Sequence, residues 1–262
     1  MTVPVLEPRW AAPAQVRAAF SLRSGGASEP PWDTLNLGVH VGDDPAAVIE
    51  NRRRLANALR LPAEPVWLDQ VHGCDVFEVD EHSRPAAGVR PRADALVTRS
   101  RGVVLAIQVA DCLPVLFSSR DGRVLGAAHA GWRGLAAGVL EATVAAMATP
   151  AAKLVAWLGP SIGPAHFEVG DEVREAFLAA QSSLAPQPIN AKAQGAIEAA
   201  FQRNPKGRWQ CDLPALARQR LAAIGVTQVD GGDWCTAADP VRFFSHRRDQ
   251  RTGRMAALIW CP

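Results

Sequence analysis

The chain has 262 residues, of which 48% are hydrophobic and 21% charged, values typical of a globular protein with a substantial core. The net charge of +2 is too small to indicate nucleic acid or an anionic membrane surface as a partner. The longest apolar runs contain Asp111 or Glu141, which argues against a membrane-spanning helix. The composition leaves one large domain or two small ones.

The first residues, MTVPVLEPRW, lack the basic-then-apolar order of a signal peptide. Five cysteines without paired spacing argue against a disulfide framework and favour a reducing compartment. We therefore expect a cytoplasmic protein.

Short strands interrupted by prolines are predicted over residues 1–20, followed by a loop over 21–45 that is rich in Gly, Pro, Ser and Asp. Long irregular loops in compact domains are often functional, so Arg23, Asn36 and His40 could face a pocket. A plain surface connection is the alternative.

A helix is predicted from Asp44 and Pro45 to about residue 61, because both residues are favoured at a helix start. Its three consecutive arginines, 52–54, are expected to form a solvated helix face. The segment 65–73, PVWLDQVHG, is predicted to be a strand that leads into a turn near His72. Two further strands are predicted at 75–80 and 93–98.

The stretch 103–134 is the most informative part of the chain. An apolar run from Val103 breaks at residues 110–112, resumes as LPVLF, turns at 119–122 and returns to end on His129. Cys112 and His129 therefore stand at the two chain ends of a hairpin-like unit, which lets their side chains meet. The following AGWRG leads into a helix.

The C-terminal half is expected to begin with one buried helix over 135–148, which is apolar nearly all round. A strand at 153–159 and a mobile excursion over 181–196 come next, then a capped helix over 212–225. VTQVD, VRFFSH and RMAALIW are predicted closing strands. The alternation of strands and helices, with frequent hairpin signals, favours a mixed, layered α/β fold.

Two imidazoles and a thiolate with an open fourth position are what catalytic zinc requires, and His72, Cys112 and His129 would supply them. Their wide spacing is unlike a tight metal signature. Without a metal, His72 would be a turn residue, Cys112 a small buried hydrophobe and His129 a satisfied strand-end histidine. Asp69 or Gln70 could orient His72 from the side.

The same residues fit a second chemistry, in which Cys112 is a nucleophile and His129 or His72 is its base. Backbone amides from Gly131 to Gly134, at a helix start, could then form an oxyanion hole. Near the C-terminus, Arg247 lies in a cluster of charged residues around a turn. Such a cluster could bind a phosphate or carboxylate, or form a surface network of ion pairs.

Seven motifs occur in one order and cover the chain from about Phe20 to the C-terminus: DQVHG, ADALVT, ADCLPVLF, AAHAGWRG, LGPSIGP before FEVG, FFSHRRD and TGRMAALIW. Together they resemble the bacterial YfiH-type family, also named the laccase-domain or polyphenol-oxidase family. The resemblance implies a single α/β domain over residues 1–262, similar to a cysteine-dependent deamidating toxin. It also implies zinc, or alternatively copper, bound by His72, Cys112 and His129.

The resemblance further implies a purine nucleoside phosphorylase acting on adenosine, inosine and methylthioadenosine, with adenosine deaminase activity and a monomeric or homodimeric state. Its partners would be purine nucleosides and phosphate. The older laccase name fits poorly, because six histidines cannot build the sites of a multicopper oxidase. Arg23 and Arg247 are then candidates for the phosphate, Asn36 for a polar substrate contact, and Asp111 for a general acid.

Two rivals stay open. A Cys112-dependent amidase would act on a small peptide-like or nucleotide-linked amide. A zinc-stabilised binding domain would close its metal site with a fourth ligand, for which Cys74 is the nearby thiol.

Overall fold

The computed structural model describes residues 3–86, 88–184, 195 and 197–262. Its strands are β1 Val5–Leu6, β2 Arg17–Ser21, β3 Val76–Glu78, β4 Ala95–Thr98, β5 Val104–Val109, β6 Leu113–Ser119, β7 Leu125–Ala130, β8 Leu154–Leu158, β9 Glu168–Val169, β10 Phe201–Arg203, β11 Trp209–Cys211, β12 Gln228–Gly231 and β13 Met255–Trp260. Its helices are α1 Pro45–Leu59, α2 Trp132–Ala137, α3 Val139–Ala146, α4 Asp171–Leu184, α5 Leu213–Ala223 and α6 His246–Asp249.

These strands form three sheets. A four-stranded sheet has the order β1-β2-β13-β5, and a six-stranded mixed sheet has the order β12-β8-β6-β7-β4-β3. A small sheet, β10-β11-β9, is hydrogen-bonded to neither of them. The prediction of a mixed α/β fold is confirmed.

The alternation of side chains along the strands produces four layers. In β5, Val104 and Ala106 pack with Leu55 of α1, on the outer face of the four-stranded sheet. Leu105 and Ile107 point the other way, into a core shared with the six-stranded sheet. The far face of that larger sheet packs against α2, α3, α4 and α5. Both faces of β5 are therefore buried, which explains its unbroken apolar sequence.

The break predicted at residues 110–112 is the point where the chain passes from one sheet to the other. β5 pairs with β13 in the smaller sheet, whereas β6 pairs with β7 and β8 in the larger one. In the β6–β7 hairpin, Pro114 lies opposite His129. Cys112 immediately precedes β6, so the hairpin register places it near His129.

Helix α1 confirms its predicted start, since the Asp44 side chain accepts a hydrogen bond from the Ala46 N–H at 3.0 Å. The single helix predicted over 135–148 is wrong. Gly138, with φ of 99°, separates α2 from α3, because its left-handed backbone interrupts the helical ladder.

Three other predicted elements differ from the structure. Residues 65–73 form isolated bridges at Val66 and Asp69 and no named strand. VRFFSH is a turn and loop up to Ser245, which caps the short α6 by accepting from the Arg248 N–H. The excursion predicted over 181–196 begins inside α4, and residues 185–194 and 196 lie outside the described residues.

Candidate metal centre

His72, Cys112 and His129 are brought together from three separate segments of the chain. Within the described residues they form a group whose ligand atoms all lie within 4.8 Å of one another. The His72 Nε2 and Cys112 Sγ atoms are 3.8 Å apart. His129 is buried, Cys112 is half-buried and His72 is exposed, so the group opens to solvent on the His72 side.

The distance between the Cys112 and His72 ligand atoms is close to the one expected around a zinc ion. Zn–S and Zn–N bonds of about 2.3 and 2.0–2.1 Å at tetrahedral angles place sulfur and nitrogen about 3.5 Å apart. The 3.8 Å between Cys112 and His72 is close to that value. Two imidazoles and a thiolate are also ligands that zinc prefers, and three protein ligands leave one position for water or substrate.

Asp94 positions two of the three candidate metal ligands, His72 and His129. Its fully buried carboxylate accepts hydrogen bonds from the backbone N–H groups of Val71, His72 and Gly73, at 3.2, 2.9 and 2.7 Å. These bonds fix a tight turn in which His72 has a φ of 62°, a left-handed conformation that is uncommon for a non-glycine residue. The turn therefore depends on a carboxylate from another segment.

The same carboxylate orients His129. Asp94 Oδ1 lies 2.8 Å from His129 Nδ1, and both side chains are buried. An acceptor at this position places the proton on Nδ1 and leaves Nε2 free to face Cys112. Burial raises the pKa of Asp94, but the hydrogen bonds from His129 and from the His72 turn outweigh it and keep that pKa below the ordinary value.

The electrostatics favour a thiolate at Cys112. Burial raises the pKa of this thiol, but the neighbouring His129 and His72 lower it to about 6. In return, burial lowers the pKa of His129, while Cys112 and Asp94 raise it above the ordinary value. Without a metal, the pair therefore favours a thiolate beside an imidazolium near neutral pH.

Two glycines of the AGWRG segment allow the three ligand segments to approach. A Cβ on Gly131 would lie 2.9 Å from Cys112 Sγ and 3.1 Å from His72 Cδ2. A Cβ on Gly134 would lie 2.7 Å from the carbonyl oxygen of Gly73. The start of α2 therefore packs directly against the turn that carries His72.

Asp111, the candidate general acid, makes contacts that stabilise the fold. It is buried with a φ of 88°, and its carboxylate accepts from Thr236 Oγ1 at 2.6 Å, Ser245 Oγ at 3.0 Å and the Arg247 N–H at 2.7 Å. These three donors engage both carboxylate oxygens. Asp111 therefore anchors the loop before α6 to the segment that carries Cys112.

Three other residues were singled out as substrate contacts. The Arg23 guanidinium donates to the carbonyl oxygens of Asp33 and Pro240 and pairs with the Asp33 carboxylate at 3.2 Å. Asn36 is buried and hydrogen-bonded to Gly38, Asp43 and Arg254. Both residues therefore brace the loops around 21–43.

Arg247 differs from these two, because its side chain is exposed. Its Nη1 donates to the carbonyl oxygens of His166 and Glu168, at 3.2 and 2.9 Å. The guanidinium lies over the Phe167 ring, 5.4 Å from its centroid. Its backbone bond to Asp111 ties it to the segment that carries Cys112.

The sequence reasoning missed Asp94, although ADALVT was among the motifs that carried the resemblance. Its signal was an acidic residue between Ala93 and Ala95, at the start of an apolar strand. A carboxylate at such a position needs buried donors, because an unpaired buried charge is costly. Nothing in the sequence showed that those donors come from the His72 turn.

The fold and the three-ligand centre define a layered α/β protein with a candidate metal site. The chain belongs to the family described as multi-copper polyphenol oxidoreductase laccase, whose model matches residues 17–262. A Pseudomonas aeruginosa relative, named purine nucleoside phosphorylase PA4543, is 53% identical over 97% of both chains. An Escherichia coli relative, named purine nucleoside phosphorylase YfiH, is 51% identical over 98% of both.

Solved structures agree with this assignment. The crystal structure of Neisseria meningitidis protein NMB0706 is 42% identical, covers 98% of both chains and superposes with a TM-score of 0.87. YlmD from Geobacillus stearothermophilus is 33% identical, with a TM-score of 0.85. The family resemblance noted from the motifs is confirmed. Among the described residues, no helix has the length and apolar character needed to cross a membrane.

Proposed function

We propose that the protein is a zinc-dependent purine nucleoside phosphorylase that acts on adenosine, inosine and methylthioadenosine and also deaminates adenosine. The observation that carries the proposal is the open His72–Cys112–His129 centre in a chain about half identical to relatives named purine nucleoside phosphorylase. Copper is the alternative metal.

In this proposal, His72, Cys112 and His129 hold the metal, and Asp94 keeps both imidazoles in position. A bound zinc ion supplies Lewis-acid polarisation and activates water at neutral pH. The buried His129 limits solvent on one side, and the exposed His72 leaves an approach for a nucleoside. Because Cys112 favours the thiolate form, the centre can bind a metal cation once His129 loses its proton.

Phosphorolysis requires a phosphate oxygen to attack the anomeric carbon of ribose as the bond to the purine nitrogen breaks. The attacking anion needs cationic donors, and Arg247 is the exposed candidate. Arg23 and Asn36 are proposed as further substrate contacts. Both must exchange present hydrogen bonds within their loops to reach a substrate, so their direct role depends on movement of residues 21–43.

The test is incubation of the metal-loaded protein with inosine and phosphate. Ribose 1-phosphate and hypoxanthine are the expected products, and Cys112→Ala should abolish them. Cys74→Ala, which removes a half-buried thiol near the His72 turn, is the matched control and should retain activity. Adenosine and phosphate should give adenine and ribose 1-phosphate. Deamination of adenosine by water should give inosine and ammonia. Absence of the phosphorolysis products from the metal-loaded protein would contradict the proposal.

A second candidate is the Cys112-dependent amidase on a small peptide-like or nucleotide-linked amide, favoured by the lowered thiol pKa beside His129. This activity would survive chelation, since the nucleophile is the thiolate itself. Turnover of an amide by chelator-treated protein, lost in Cys112→Ala, would support it. Phosphorolysis that disappears on chelation and returns with zinc would favour the first candidate.

A further inference from the structure

A second concave surface lies outside the metal centre. This groove has a volume of 890 Å³, and its lining includes Arg52, Trp67, Arg84 and Arg90. The lining does not include any of the three metal-ligand candidates. We call it the arginine groove. Its volume lies within the range of about 300–1,000 Å³ that is typical of small-molecule sites.

Arg52 is not the solvated helix residue that its sequence predicts. Its guanidinium lies over the Trp67 ring, 4.1 Å from the centroid, and donates through Nε and Nη2 to the Leu37 carbonyl oxygen at 3.1 and 2.8 Å. Burial and the nearby Arg90 lower its pKa to about 10. A desolvated cation held beside a second cation is costly, and an anionic ligand would offset that cost.

Two residues of the lining each carry a buried donor atom that has no acceptor among the described residues. Trp67 Nε1 is one of them, and its side chain is only 4% exposed. Arg90 Nη1 is the other. Leaving such a group unpaired costs roughly 1–3 kcal/mol, and more for a charged group. Both atoms are almost inaccessible in this structure, so an acceptor from outside the chain reaches them only after the neighbouring side chains shift.

The charge of the lining is mainly positive. Four arginines line the groove, against one acidic residue, Glu64. Arg53 is exposed and already paired with Glu50 at 2.7 Å, and Arg84 donates to the Glu64 carbonyl oxygen. Arg52, Arg84 and Arg90 therefore remain as cations without a bonded carboxylate in the described part of the chain.

An apolar rim accompanies these cations. Val39, Ile49 and Val89 also line the groove, and their exposed fractions are 45%, 68% and 57%. Isolated exposed apolar residues are ordinary, but three on the rim of one basic cavity suit the organic part of a ligand.

We propose that the arginine groove binds a phosphorylated small molecule. Its phosphate oxygens lie near the Arg52 and Arg90 guanidinium groups and accept from Trp67 Nε1 once a shift of the neighbouring side chains uncovers that atom. A flat apolar body covers Val39, Ile49 and Val89. Arginine and an indole N–H are suitable donors for phosphate oxygens. The proposal does not rest on the phosphorylase activity, because the groove contains none of the metal-ligand candidates.

The groove is nevertheless connected to the metal centre. The Leu37 carbonyl oxygen that accepts from Arg52 also accepts from Gln108 Nε2 at 2.6 Å. The backbone N–H and C=O of Gln108 exchange hydrogen bonds of 2.8 Å with the Gln70 side chain. Gln70 precedes the turn that carries His72. A chain of hydrogen bonds therefore links Arg52 in the groove to the segment that carries this candidate ligand.

The test uses AMP as the probe, because it joins a phosphate to a flat base, with ribose 5-phosphate and inorganic phosphate alongside. Isothermal titration of the metal-loaded protein should show AMP binding more tightly than either smaller anion. Arg90→Gln should raise the AMP dissociation constant about tenfold or more, as expected for one charge-assisted hydrogen bond. Trp67→Phe should raise it as well, without changing the net charge.

Arg123→Gln is the matched control, because it removes the same charge from a side chain that is 86% exposed on the β6–β7 turn. It should leave AMP affinity unchanged, and urea unfolding should show that every variant is folded. Equal losses of AMP affinity in Arg90→Gln and Arg123→Gln would overturn the proposal. So would AMP binding that survives Arg90→Gln but disappears in Cys112→Ala, and so would inorganic phosphate binding as tightly as AMP.

Discussion

At the residue scale, Asp94 is the carboxylate on which the candidate centre depends. Its two oxygens accept from three backbone N–H groups of the His72 turn and from His129 Nδ1. Asp94→Asn keeps the shape but replaces one acceptor oxygen with a donor that faces other donors. We expect zinc affinity to fall about 10- to 100-fold and the free energy of unfolding to fall by about 1–3 kcal/mol.

Competition with a chromogenic chelator measures that affinity, and urea unfolding measures the stability. Asp69→Asn provides the control, since Asp69 is exposed, close in sequence to the same turn and loses the same charge. If Asp69→Asn weakens zinc binding as much as Asp94→Asn, the effect is long-range electrostatics and not the orientation of His72 and His129.

The Cys112 thiol should titrate far below an ordinary cysteine in the metal-free protein. Its pKa of about 6 means that the thiolate forms as the pH rises through 6 and is lost as the pH falls through it. Alkylation by iodoacetamide should therefore be half-maximal near pH 6, and not near the ordinary value of about 8.5. Mass spectrometry of the Cys112 peptide, after chelation, follows the rate.

His129→Gln tests the cause of that shift. The variant removes the imidazolium that lowers the pKa of Cys112, while burial, which raises it, remains. The midpoint of alkylation should then move upward by at least one pH unit. A midpoint that stays near pH 6 would show that another group stabilises the thiolate.

At the element scale, the junction between β7 and α2 brings the ligand segments together because it contains glycine. A Cβ on Gly131 would approach Cys112 Sγ to 2.9 Å and His72 Cδ2 to 3.1 Å. Gly131 caps α2 with a φ of −60°, so alanine there costs the backbone little. We expect Gly131→Ala to lower zinc affinity about tenfold or more by displacing two ligands, with a smaller effect on the unfolding midpoint.

Gly73→Ala is the comparison, measured by the same chelator competition. Its Cβ would meet Asp94 Oδ2 at 3.5 Å, an ordinary contact, although it lies in the same turn as His72. Zinc affinity should stay within about twofold of the parent protein in this variant. Similar losses in the two variants would mean that the centre tolerates no added methyl, and the specific crowding at Gly131 would not be the reason.

Local patterns predicted the elements better than their tertiary roles. Side-chain periodicity identified β5, β6 and β7, and the break at 110–112 was placed correctly because a sheet change interrupts an apolar run. The prediction of one helix over 135–148 is wrong. The apolar residues continue past Gly138, so the pattern does not show that the helix ends there. Phe243 and Phe244 are both buried in a loop, so VRFFSH was mistaken for a strand.

The candidate site shows the same limit at the scale of the whole molecule. The wide spacing of its three ligands gave only a weak signal until seven ordered motifs indicated a family. Asp94 was missed because its partners lie in another segment, and Arg52 was misjudged because Trp67 comes from beyond the helix. Both contacts are created by folding, and neither leaves a pattern in the neighbouring sequence.

At the scale of the whole molecule, the metal should stabilise the fold. The structure shows all five cysteines free, so no disulfide joins the segments that carry His72, Cys112 and His129. A metal that binds only the folded state stabilises it by about 4 kcal/mol when its concentration is 1,000 times the dissociation constant. For a chain of this size, chelation should then lower the melting temperature by about 8–16 °C.

Differential scanning calorimetry with and without chelator measures that difference, and added zinc should restore the original melting temperature. Cys112→Ala supplies the control: its melting temperature should not respond to chelator, because two imidazoles alone bind zinc far more weakly than the complete set. An equal drop in the parent and the variant would place the stabilising metal elsewhere. No drop in zinc-loaded parent protein would mean that the three ligands contribute little to holding their segments together.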